Sequence, residues 1–204
     1  MIIYLARHGQ DEDNASGTLN GRRDTTLTDR GTEQARILAE TIRENNVHVE
    51  AVYCSPLQRT KQTASIVCEI LGLTEPEELK LLIERDFGIM TGLPTSEIVS
   101  RCAPDIIIGD PIVYFLSPAG AETFPDLIER GKKVITWVRE HSNAESVLLV
   151  THGDIGKMIY AAYYDFDWKE VLTQFHFGNS ELLVLSDSAK PEERHLNKVR
   201  QYNS

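Results

Sequence analysis

The sequence predicts an α/β fold, a three-layer sandwich in which helices flank a mainly parallel central sheet. Short apolar runs of strand length alternate with longer segments whose apolar residues recur at helical spacing. Two of these runs, 2–6 and 147–150, each lead one residue later into a His-Gly pair, so His8 and His152 lie just past a strand. In open α/β sheets the carboxyl ends of the strands form the crevice where ligands bind. The two histidines are therefore predicted to face one pocket.

Five segments have the composition and length of buried strands, and they are 2–6, 50–54, 79–83, 147–150 and 181–185. The second is followed by Ser55 and then by Arg59, and the third is followed directly by Glu84. Strand ends thus deliver imidazole, guanidinium and carboxyl groups to the same edge of the predicted sheet.

Three helices are predicted from apolar residues that recur three and four positions apart. The three stripes are Ala35, Leu38, Ala39 and Ile42; Ala64, Val67, Cys68 and Leu71; and Phe124, Leu127, Ile128, Gly131, Val134, Ile135 and Val138. Thr28 is well placed as the N-cap of the first helix. We interpret these stripes as core that packs on the sheet, not as cofactor-binding surfaces.

The segment 88–120 interrupts this alternation of strands and helices. It contains four prolines and two apolar patches, 106–108 and 112–116. Tyr114 and Phe115 either contact an apolar or sugar group of a ligand or hold the segment against the body of the protein.

The organisation of the chain predicts one domain over 1–204. At this length it can bury a full α/β core, and no polar linker or internal repeat divides it. The last part, 186–204, is a polar tail with only a weak signal of ordered structure at 195–199.

The charge balance and the cysteines limit the partners and the compartment. With 21 basic against 31 acidic residues the net charge is −10, which argues against nucleic acid or an anionic membrane as a partner. Three cysteines without metal-type spacing predict reduced thiols and hence a cytoplasmic protein. No stretch is long enough to span a bilayer, and Arg7 and His8 end the opening apolar run, which argues against a signal peptide.

The side-chain types predicted at the sheet edge suit phosphoryl transfer without a metal. The pair Arg7 and Arg59 has the planar, permanently charged geometry that matches phosphate oxygens. A neutral imidazole between them can attack phosphorus and form a covalent intermediate, and a carboxyl group such as Glu84 can protonate the departing oxygen. The six histidines show no paired ligand spacing, so neither a metal site nor a cofactor is predicted.

Each of these residues also has a structural interpretation. A lone histidine after a strand is more often satisfied by a backbone carbonyl group. Arg59 could be a surface helix residue, and Glu84 could be half of an ion pair with Arg85. For any one of them alone the structural interpretation would be preferred; beside His8 and His152 we favour the functional one.

Short motifs in a fixed order carry a resemblance to a known family. They are Arg7-His8-Gly9-Gln10 with Asn14, Leu27-Thr28-Asp29-Arg30-Gly31 with Gln34-Ala35, Cys54-Ser55-Pro56-Leu57 with Arg59 and Gln62-Thr63-Ala64, Glu84-Arg85 with Gly88 and Gly92, Gly120-Ala121-Glu122-Thr123, and Thr151-His152-Gly153. With them the chain resembles the histidine phosphatase superfamily, the phosphoglycerate-mutase-like proteins with an Arg-His-Gly motif. The resemblance runs from Met1 to about Leu185. It implies a phosphoglycerate-mutase-like fold in which a cap-like insertion, about 88–120, covers the pocket.

The resemblance also implies roles at the matching positions. His8 corresponds to the nucleophile that becomes phosphohistidine, and Glu84 to the proton donor for the leaving group. The residues that grip the phosphoryl group are Arg7, Arg59 and His152. Further phosphate or substrate contacts are expected at Gln10, Asn14, Asn20 and Gly21, and at Gly153, where backbone could approach the phosphate.

The implied activity is a metal-independent phosphomonoester hydrolase that acts through a phosphohistidine on a small phosphorylated metabolite. The 88–120 segment is shorter than its counterpart in cofactor-dependent phosphoglycerate mutases, which favours a phosphatase. The alternatives are a phosphoglycerate-mutase-type phosphotransferase and a non-catalytic regulator that binds a phosphorylated ligand. Phosphate or sulfate is expected to bind at the site, and no particular oligomeric state is predicted.

Two charged runs depart from the family pattern. The acidic run 11–13 stands beside the predicted nucleophile and would repel a second phosphate, unless its side chains turn to solvent. Arg22 and Arg23 follow the Gly21 position, where relatives often have Trp. They could offset the acidic run, select an anionic substrate or lie in a solvated loop.

Overall fold

The structure is a computed structural model that describes residues 1–187 and 195–197. Its strands are β1 (Ile2–Arg7), β2 (Ala51–Cys54), β3 (Glu77–Glu78), β4 (Ile106–Ile108), β5 (Val113–Phe115), β6 (Ser146–Thr151), β7 (Leu182–Leu185) and β8 (His195–Asn197). Its α-helices are α1 (Glu12–Ser16), α2 (Asp29–Glu44), α3 (Gln58–Leu71), α4 (Ile98–Cys102), α5 (Phe124–His141), α6 (Gly153–Tyr164) and α7 (Trp168–Gln174).

Six of the strands form one sheet in the order β3-β2-β6-β1-β7-β8. β1 and β2 pair in parallel with β6 on either side of it, and β3 pairs in parallel with β2, whereas β7 and β8 run antiparallel. The register aligns Arg7 and Thr151, the last residues of β1 and β6, and brings the end of β2 level with them. His8, Ser55 and His152 therefore leave the sheet at the same edge, as the sequence predicts.

Both faces of the sheet are covered by helices. One face packs against α5, α6 and α7 through a buried cluster that includes Ile3, Leu5, Val147 and Leu149. The other face packs against α2 and α3 through a cluster that includes Tyr4, Ala6, Leu148 and Val150. Successive side chains of a strand point to opposite faces, so strands covered on both sides are apolar at consecutive positions. The predicted three-layer sandwich with a mainly parallel sheet is confirmed.

The predicted helices are also confirmed. The hydroxyl of Thr28 caps α2 by accepting a hydrogen bond from the backbone N–H of Gly31 at 3.0 Å. Most residues of the predicted apolar stripes are buried: Ala35, Leu38, Ala39 and Ile42 in α2, Ala64, Val67 and Cys68 in α3, and Phe124, Leu127, Gly131, Val134, Ile135 and Val138 in α5.

The strand predicted at 79–83 is wrong. The parallel pairing with β2 is made just upstream, by the two exposed residues of β3. The chain then turns through a short 3-10 helix, Lys80–Leu82, whose three-residue period buries Leu79 and Leu82 together. Their apolar side chains resemble those of a buried strand in composition. The segment still ends beside β6, because the hydroxyl of Thr151 donates to the carbonyl oxygen of Leu82 at 2.8 Å.

The segment 88–120 packs beside the carboxyl edge of the sheet. It contains two further 3-10 turns, the short helix α4 and the antiparallel β4–β5 hairpin, which accounts for the two predicted apolar patches. A separate buried cluster holds it in place: Leu19, Phe87, Met90, Ile98 and Phe115. Tyr114 and Phe115 are buried, and both also line a cavity described below.

The end of the chain adds one antiparallel strand to the sheet. β8 pairs with β7 and coincides with the weak signal at 195–199, while 188–194 and 198–204 of the predicted tail lie outside the described residues. Within the part of the chain that the structure describes, no helix is long and apolar enough to cross a membrane. The three cysteines fall within that part, and all are free thiols.

Candidate active site

His8 directly follows β1, and its buried imidazole is fixed by two hydrogen bonds. Nδ1 lies 2.6 Å from the carbonyl oxygen of Gly9, and Nε2 lies 3.2 Å from Nε of Arg59. A carbonyl oxygen can only accept and a guanidinium N–H can only donate, so Nδ1 carries the proton and Nε2 accepts. Nε2 is therefore an unprotonated nitrogen with a lone pair.

Arg59 lies in the first turn of α3 and is fully buried, which excludes its interpretation as a surface helix residue. Its Nε is shared between Nε2 of His8 at 3.2 Å and Nδ1 of His152 at 3.1 Å. Its terminal nitrogens donate to the carbonyl oxygens of Arg23 at 2.6 Å and Gly21 at 2.8 Å. One guanidinium group thus joins both histidines to the loop that follows α1.

His152 stands beside His8, with ring centroids 5.1 Å apart and the ring planes inclined at 63°. Because Nδ1 of His152 accepts from Arg59, the proton of the neutral ring is on Nε2, which donates to the hydroxyl of Ser55 at 2.8 Å. Burial and the positive charge of Arg59 hold the pKa of both histidines well below the usual value. Both rings are therefore neutral at physiological pH.

Asp11 places a carboxylate against the charge of Arg59. It is fully buried, and Oδ2 lies 3.3 Å from Nε of Arg59. Its oxygens also accept from the side chain of Asn20 at 2.8 Å, the hydroxyl of Thr25 at 3.0 Å and the backbone N–H of Asn14 at 2.7 Å. Burial alone would raise the pKa of Asp11, but the cationic surroundings and these hydrogen bonds lower it below its usual value.

Arg7 and Asn14 line the cavity described below. One terminal nitrogen of Arg7 donates to the carbonyl oxygen of Phe177 at 2.8 Å, but Nε is buried and has no hydrogen-bond partner among the described residues. Arg7 therefore keeps a cationic donor unsatisfied. The side chain of Asn179 donates to Asn14 Oδ1 and to the carbonyl oxygen of His8, both at 3.1 Å, and so orients the two residues relative to each other.

Glu84 is buried against the amino terminus of α6. Its Oε1 accepts from the backbone N–H groups of Arg85 at 2.8 Å and Ile155 at 3.1 Å, and Oε2 accepts from that of Asp154 at 3.3 Å. Burial, reinforced by the carboxylate of Asp154, raises the pKa of Glu84, and the backbone hydrogen bonds only partly oppose this. Glu84 can therefore hold a proton at a higher pH than an ordinary glutamate.

The side chain of Arg85 does not pair with Glu84. The interpretation of Glu84 as half of an ion pair with Arg85 is therefore wrong. Nε of Arg85 instead donates to Oδ2 of Asp154 at 2.7 Å. Its guanidinium carbon lies 4.4 Å from the ring centroids of both Phe115 and Phe124. Arg85 thus links the 88–120 segment to α5 and fixes the carboxylate next to Glu84.

A cavity of about 480 Å³ opens between this edge of the sheet and the 88–120 segment. The predicted site residues that line it are Arg7, Asn14, Asn20, Glu84 and Gly153. His8, Arg59 and His152 are not among its lining residues and form the buried network described above. The structure therefore brings all five predicted catalytic residues to one end of the sheet, with the proton-donor candidate facing the cavity.

Two of the predicted binding residues have other partners. The side chain of Gln10 accepts from the hydroxyl of Thr28 at 2.9 Å, so it supports the start of α2 and does not line the cavity. Gly21 contributes its carbonyl oxygen to Arg59. A phosphate contact at Gln10 or Gly21 stays a prediction.

Sequence reasoning missed the residues that hold the predicted ones in place. Ser55 fixes His152, Asn179 fixes Asn14, and Asp11 offsets Arg59. Ser55 carries a usable signal, since it directly follows β2. Asn179 lies in the loop before β7, where no pattern in the sequence distinguishes it.

The acidic run beside the nucleophile is mostly not solvated. Asp13 is buried and accepts from Nε of Arg23 at 2.8 Å, so this arginine does offset the acidic run. Arg22 pairs instead with Asp86 at 3.2 Å and Glu122 at 3.1 Å. Both arginines are therefore engaged by carboxylates of the chain itself.

The donor set of the site suits an anion better than a metal ion. Its fixed positive charges are guanidinium groups, and both histidines use both ring nitrogens in hydrogen bonds. Among the residues that the structure describes, no group of three or more His, Cys, Asp or Glu is arranged to hold a metal ion.

Relatives of the chain include enzymes that act on phosphate esters. A 6-phosphofructo-2-kinase/fructose-2,6-bisphosphatase of Gallus gallus is 32% identical over 163 residues, which is 80% of this chain and 33% of that protein. A metal-independent phosphoserine phosphatase of Arabidopsis thaliana is 31% identical over 167 residues, 78% of this chain and 66% of that one. The chain thus spans about a third of the length of the bifunctional relative.

Solved structures share the fold, and a family model covers almost the whole sequence. A mycobacterial glucosyl-3-phosphoglycerate phosphatase in complex with VO3 superposes with a TM-score of 0.77 at 23% identity, over 91% of this chain and 92% of that one. The α-ribazole phosphatase from Shigella flexneri gives a TM-score of 0.75 at 21% identity, over 98% and 96%. The model of the histidine phosphatase superfamily (branch 1) matches residues 3–198, which include both His-Gly pairs. The chain therefore belongs to the histidine phosphatase superfamily, branch 1.

Proposed function

We propose that the protein is a cytoplasmic, metal-independent phosphomonoesterase that transfers the phosphoryl group of a small phosphorylated metabolite to His8 and then to water. The observation that carries this proposal is the protonation pattern of His8. Nδ1 is anchored on the carbonyl group of Gly9, and Nε2 is left unprotonated beside Arg59. A neutral imidazole held in this way is ready to act as a nucleophile.

In the first step, Nε2 of His8 attacks phosphorus and the bond from phosphorus to the ester oxygen breaks. Glu84 gives its proton to the departing oxygen, a role that its raised pKa supports. Negative charge on the transferring oxygens is met by Arg7, whose Nε has no partner among the described residues, and by Arg59, whose bond to His8 gives way to one with the phosphoryl group.

In the second step, water attacks the phosphorus of the phosphohistidine. Glu84, now a carboxylate, takes a proton from that water, and the phosphorus–nitrogen bond breaks to release inorganic phosphate. His8 recovers its unprotonated Nε2, and Glu84 recovers its proton. Glu84 can serve first as an acid and then as a base because the proton that it loses in the first step is replaced by the one that it takes from water in the second.

A mutase of the phosphoglycerate type is the second candidate, and one comparison favours it. A 2,3-bisphosphoglycerate-dependent phosphoglycerate mutase of Bartonella tribocorum is 26% identical over 179 residues, 84% of this chain and 85% of that one. In this case an acceptor hydroxyl group replaces water in the second step. Isomerisation of 3-phosphoglycerate primed with 2,3-bisphosphoglycerate, faster than release of inorganic phosphate, would identify a mutase.

The decisive experiment is turnover of p-nitrophenyl phosphate in the presence of EDTA, with trapping of the intermediate. We expect phosphate release and an acid-labile, base-stable phosphate on His8. His8→Ala should abolish both, because the proposed nucleophile is then absent. Binding of inorganic phosphate without any turnover would instead indicate a non-catalytic regulator. Substantial turnover by His8→Ala would contradict the assigned nucleophile.

Glu84→Gln separates the proton donor from the nucleophile. An aryl phosphate has a good leaving group and needs little protonation, so its first step should survive better than that of an alkyl phosphate. Hydrolysis of the phosphohistidine should slow for both, because water has lost its base. Equal losses for aryl and alkyl phosphates in the first step would contradict the role of Glu84.

A further inference from the structure

Much of the cavity wall is uncharged. The apolar residues come from the β4–β5 hairpin and its surroundings: Ile112, Val113, Phe115, Phe87, Ile98 and Phe177. The lining also includes three residues that carry hydroxyl groups, Thr18, Thr95 and Ser96. Such a wall suits an apolar or hydroxyl-bearing group, and these residues bring no positive charge that would offset the cost of removing a second anion from water.

Lys157 lines the cavity, but its ammonium group is fully engaged by the protein. Nζ donates to the hydroxyl of Tyr114 at 2.9 Å and to the carbonyl oxygens of Leu172 at 2.8 Å and Val171 at 3.3 Å. An ammonium group has three N–H donors, and here each has an acceptor. The side chain is buried, and this burial lowers its pKa to about 8. Lys157 therefore holds α7 and the hairpin together and has no donor left for a ligand.

The other basic side chains that line the cavity beyond Arg7 are either paired with a carboxylate or neutral. Arg85 is bound to Asp154 at 2.7 Å, so its charge is offset where it lines the cavity. Burial lowers the pKa of His176 to about 4, which leaves it neutral at physiological pH. Beyond Arg7, the described residues thus give the cavity no uncommitted cation.

We infer that the alcohol part of the substrate carries no second anionic group: the enzyme prefers phosphomonoesters of uncharged, partly apolar alcohols over bisphosphates and phosphorylated carboxylic acids. This inference rests on the proposed function and names its substrate class. It separates the chain from relatives whose names include fructose-2,6-bisphosphatase and phosphoserine phosphatase.

The test compares two aryl phosphates that differ only in a distal charge. They are 4-(carboxymethyl)phenyl phosphate and the corresponding carboxamide, in which a methylene group insulates the phenol, so the leaving groups are nearly equal. With the wild-type protein we expect kcat/KM for the carboxamide to exceed that for the carboxylate by about tenfold or more. Equal values, or a preference for the carboxylate, would overturn the inference.

A pair of variants on the β4–β5 hairpin tests whether the cavity wall causes the preference. Ile112→Lys adds a free ammonium group to the lining and should reduce the ratio of carboxamide to carboxylate at least about threefold. Ile108→Lys is the matched control, because Ile108 is 73% exposed and is not a lining residue. It should leave the ratio unchanged. The same shift in both variants, or none in Ile112→Lys, would count against the wall as the cause.

Hydrolysis of p-nitrophenyl phosphate distinguishes failure of this inference from failure of the proposed function. If the wild-type protein hydrolyses it but does not prefer the carboxamide, the inference fails and the phosphatase stands. If it hydrolyses no aryl phosphate at all, the proposed function fails and the inference falls with it.

Discussion

Among single residues, Asp11 shows how the site tolerates a fully buried guanidinium group. The carboxylate lies 3.3 Å from Arg59 and accepts hydrogen bonds from three other residues. A buried ion pair gives little net stability relative to apolar residues, but removal of one partner leaves the other charge uncompensated. Asp11 thus allows Arg59 to stay charged between two neutral histidines.

Asp11→Asn should therefore destabilise the protein by about 3 kcal/mol, because Arg59 loses its only close carboxylate within the described structure. Urea unfolding at neutral pH measures this loss. The pKa of Asp11 is lower in the folded than in the unfolded chain, so its contribution is present above the ordinary pKa of Asp and disappears as the pH falls through the folded value. Wild type and Asp11→Asn should converge in stability in acid.

Glu12→Gln is the control for this change. Glu12 adjoins Asp11 but is exposed, and its substitution should alter the free energy of unfolding by no more than about 0.5 kcal/mol. If the two variants lose equal stability, or if the loss in Asp11→Asn persists in acid, the ion pair with Arg59 is not the cause.

A second residue, Asp154, is predicted to set the pH range of the proton donor. Its carboxylate is one cause of the raised pKa of Glu84, after burial. In Asp154→Asn the pKa of Glu84 should fall, so the protonated form is lost at a lower pH. The alkaline limb of the kcat profile for an alkyl phosphate should move to lower pH. The profile for p-nitrophenyl phosphate should move little, since its leaving group needs little help, and an equal shift for both substrates would contradict this role.

The sequence predicts the candidate catalytic residues better than the residues that hold them in place. His8 and His152 follow strand ends, and this position alone indicates that they meet, whereas Glu84 follows a 3-10 turn and not the strand predicted before it. The partners of Arg59 could not be predicted, because its contacts with Gly21 and Arg23 depend on a loop whose path is set by tertiary packing. In the same way, charge alone cannot distinguish an acidic run that folds inward onto arginines from one that is solvated.

Among the elements, α2 shows which local signals are dependable. An N-cap and a stripe of apolar residues are both local, so Thr28 and the buried face of α2 follow from the sequence. The strand predicted at 79–83 is wrong because the local sequence pattern there is ambiguous. Two leucines three residues apart fit the period of a 3-10 turn as well as the composition of a strand, and only the short pairing of β3 with β2 decides between them.

Thr28→Ala should cost about 1 kcal/mol of stability, because the N–H of Gly31 loses its hydrogen-bond acceptor. Thr28 also donates to the side chain of Gln10, so the start of α2 should loosen with it. Thr41→Ala is the matched control: this threonine is in the same helix, and its hydroxyl donates back to the carbonyl oxygen of Ile37. Urea unfolding should show a change within about 0.5 kcal/mol for Thr41→Ala. Equal losses in both variants would show that general helix propensity, not the cap, is responsible.

At the scale of the whole molecule, the site is assembled from distant parts of the chain. Arg7 is the last residue of β1 and His8 comes directly after it. Arg59 lies in α3, Glu84 comes after the turn that follows β3, and His152 comes directly after β6. Because these segments meet only in the folded protein, an anion that binds all of them binds the native state alone. We also expect 1–204 to unfold as one domain, since Arg85 and Lys157 tie the 88–120 segment to the helices of the body.

Inorganic phosphate should therefore stabilise the entire fold. At one hundred times its dissociation constant it should raise the free energy of unfolding by about 2.7 kcal/mol, in a single cooperative transition. Arg7→Gln removes the guanidinium group whose Nε lacks a partner among the described residues, so the rise at the same phosphate concentration should be smaller. Arg36→Gln is the control, because Arg36 is exposed and forms an ion pair with the exposed Glu33, far in sequence from the predicted site residues. Thermal unfolding in phosphate, and in sodium chloride of equal ionic strength, measures the effect. An equal rise in chloride, or in both variants, would mean that salt stabilises the protein without occupying the site.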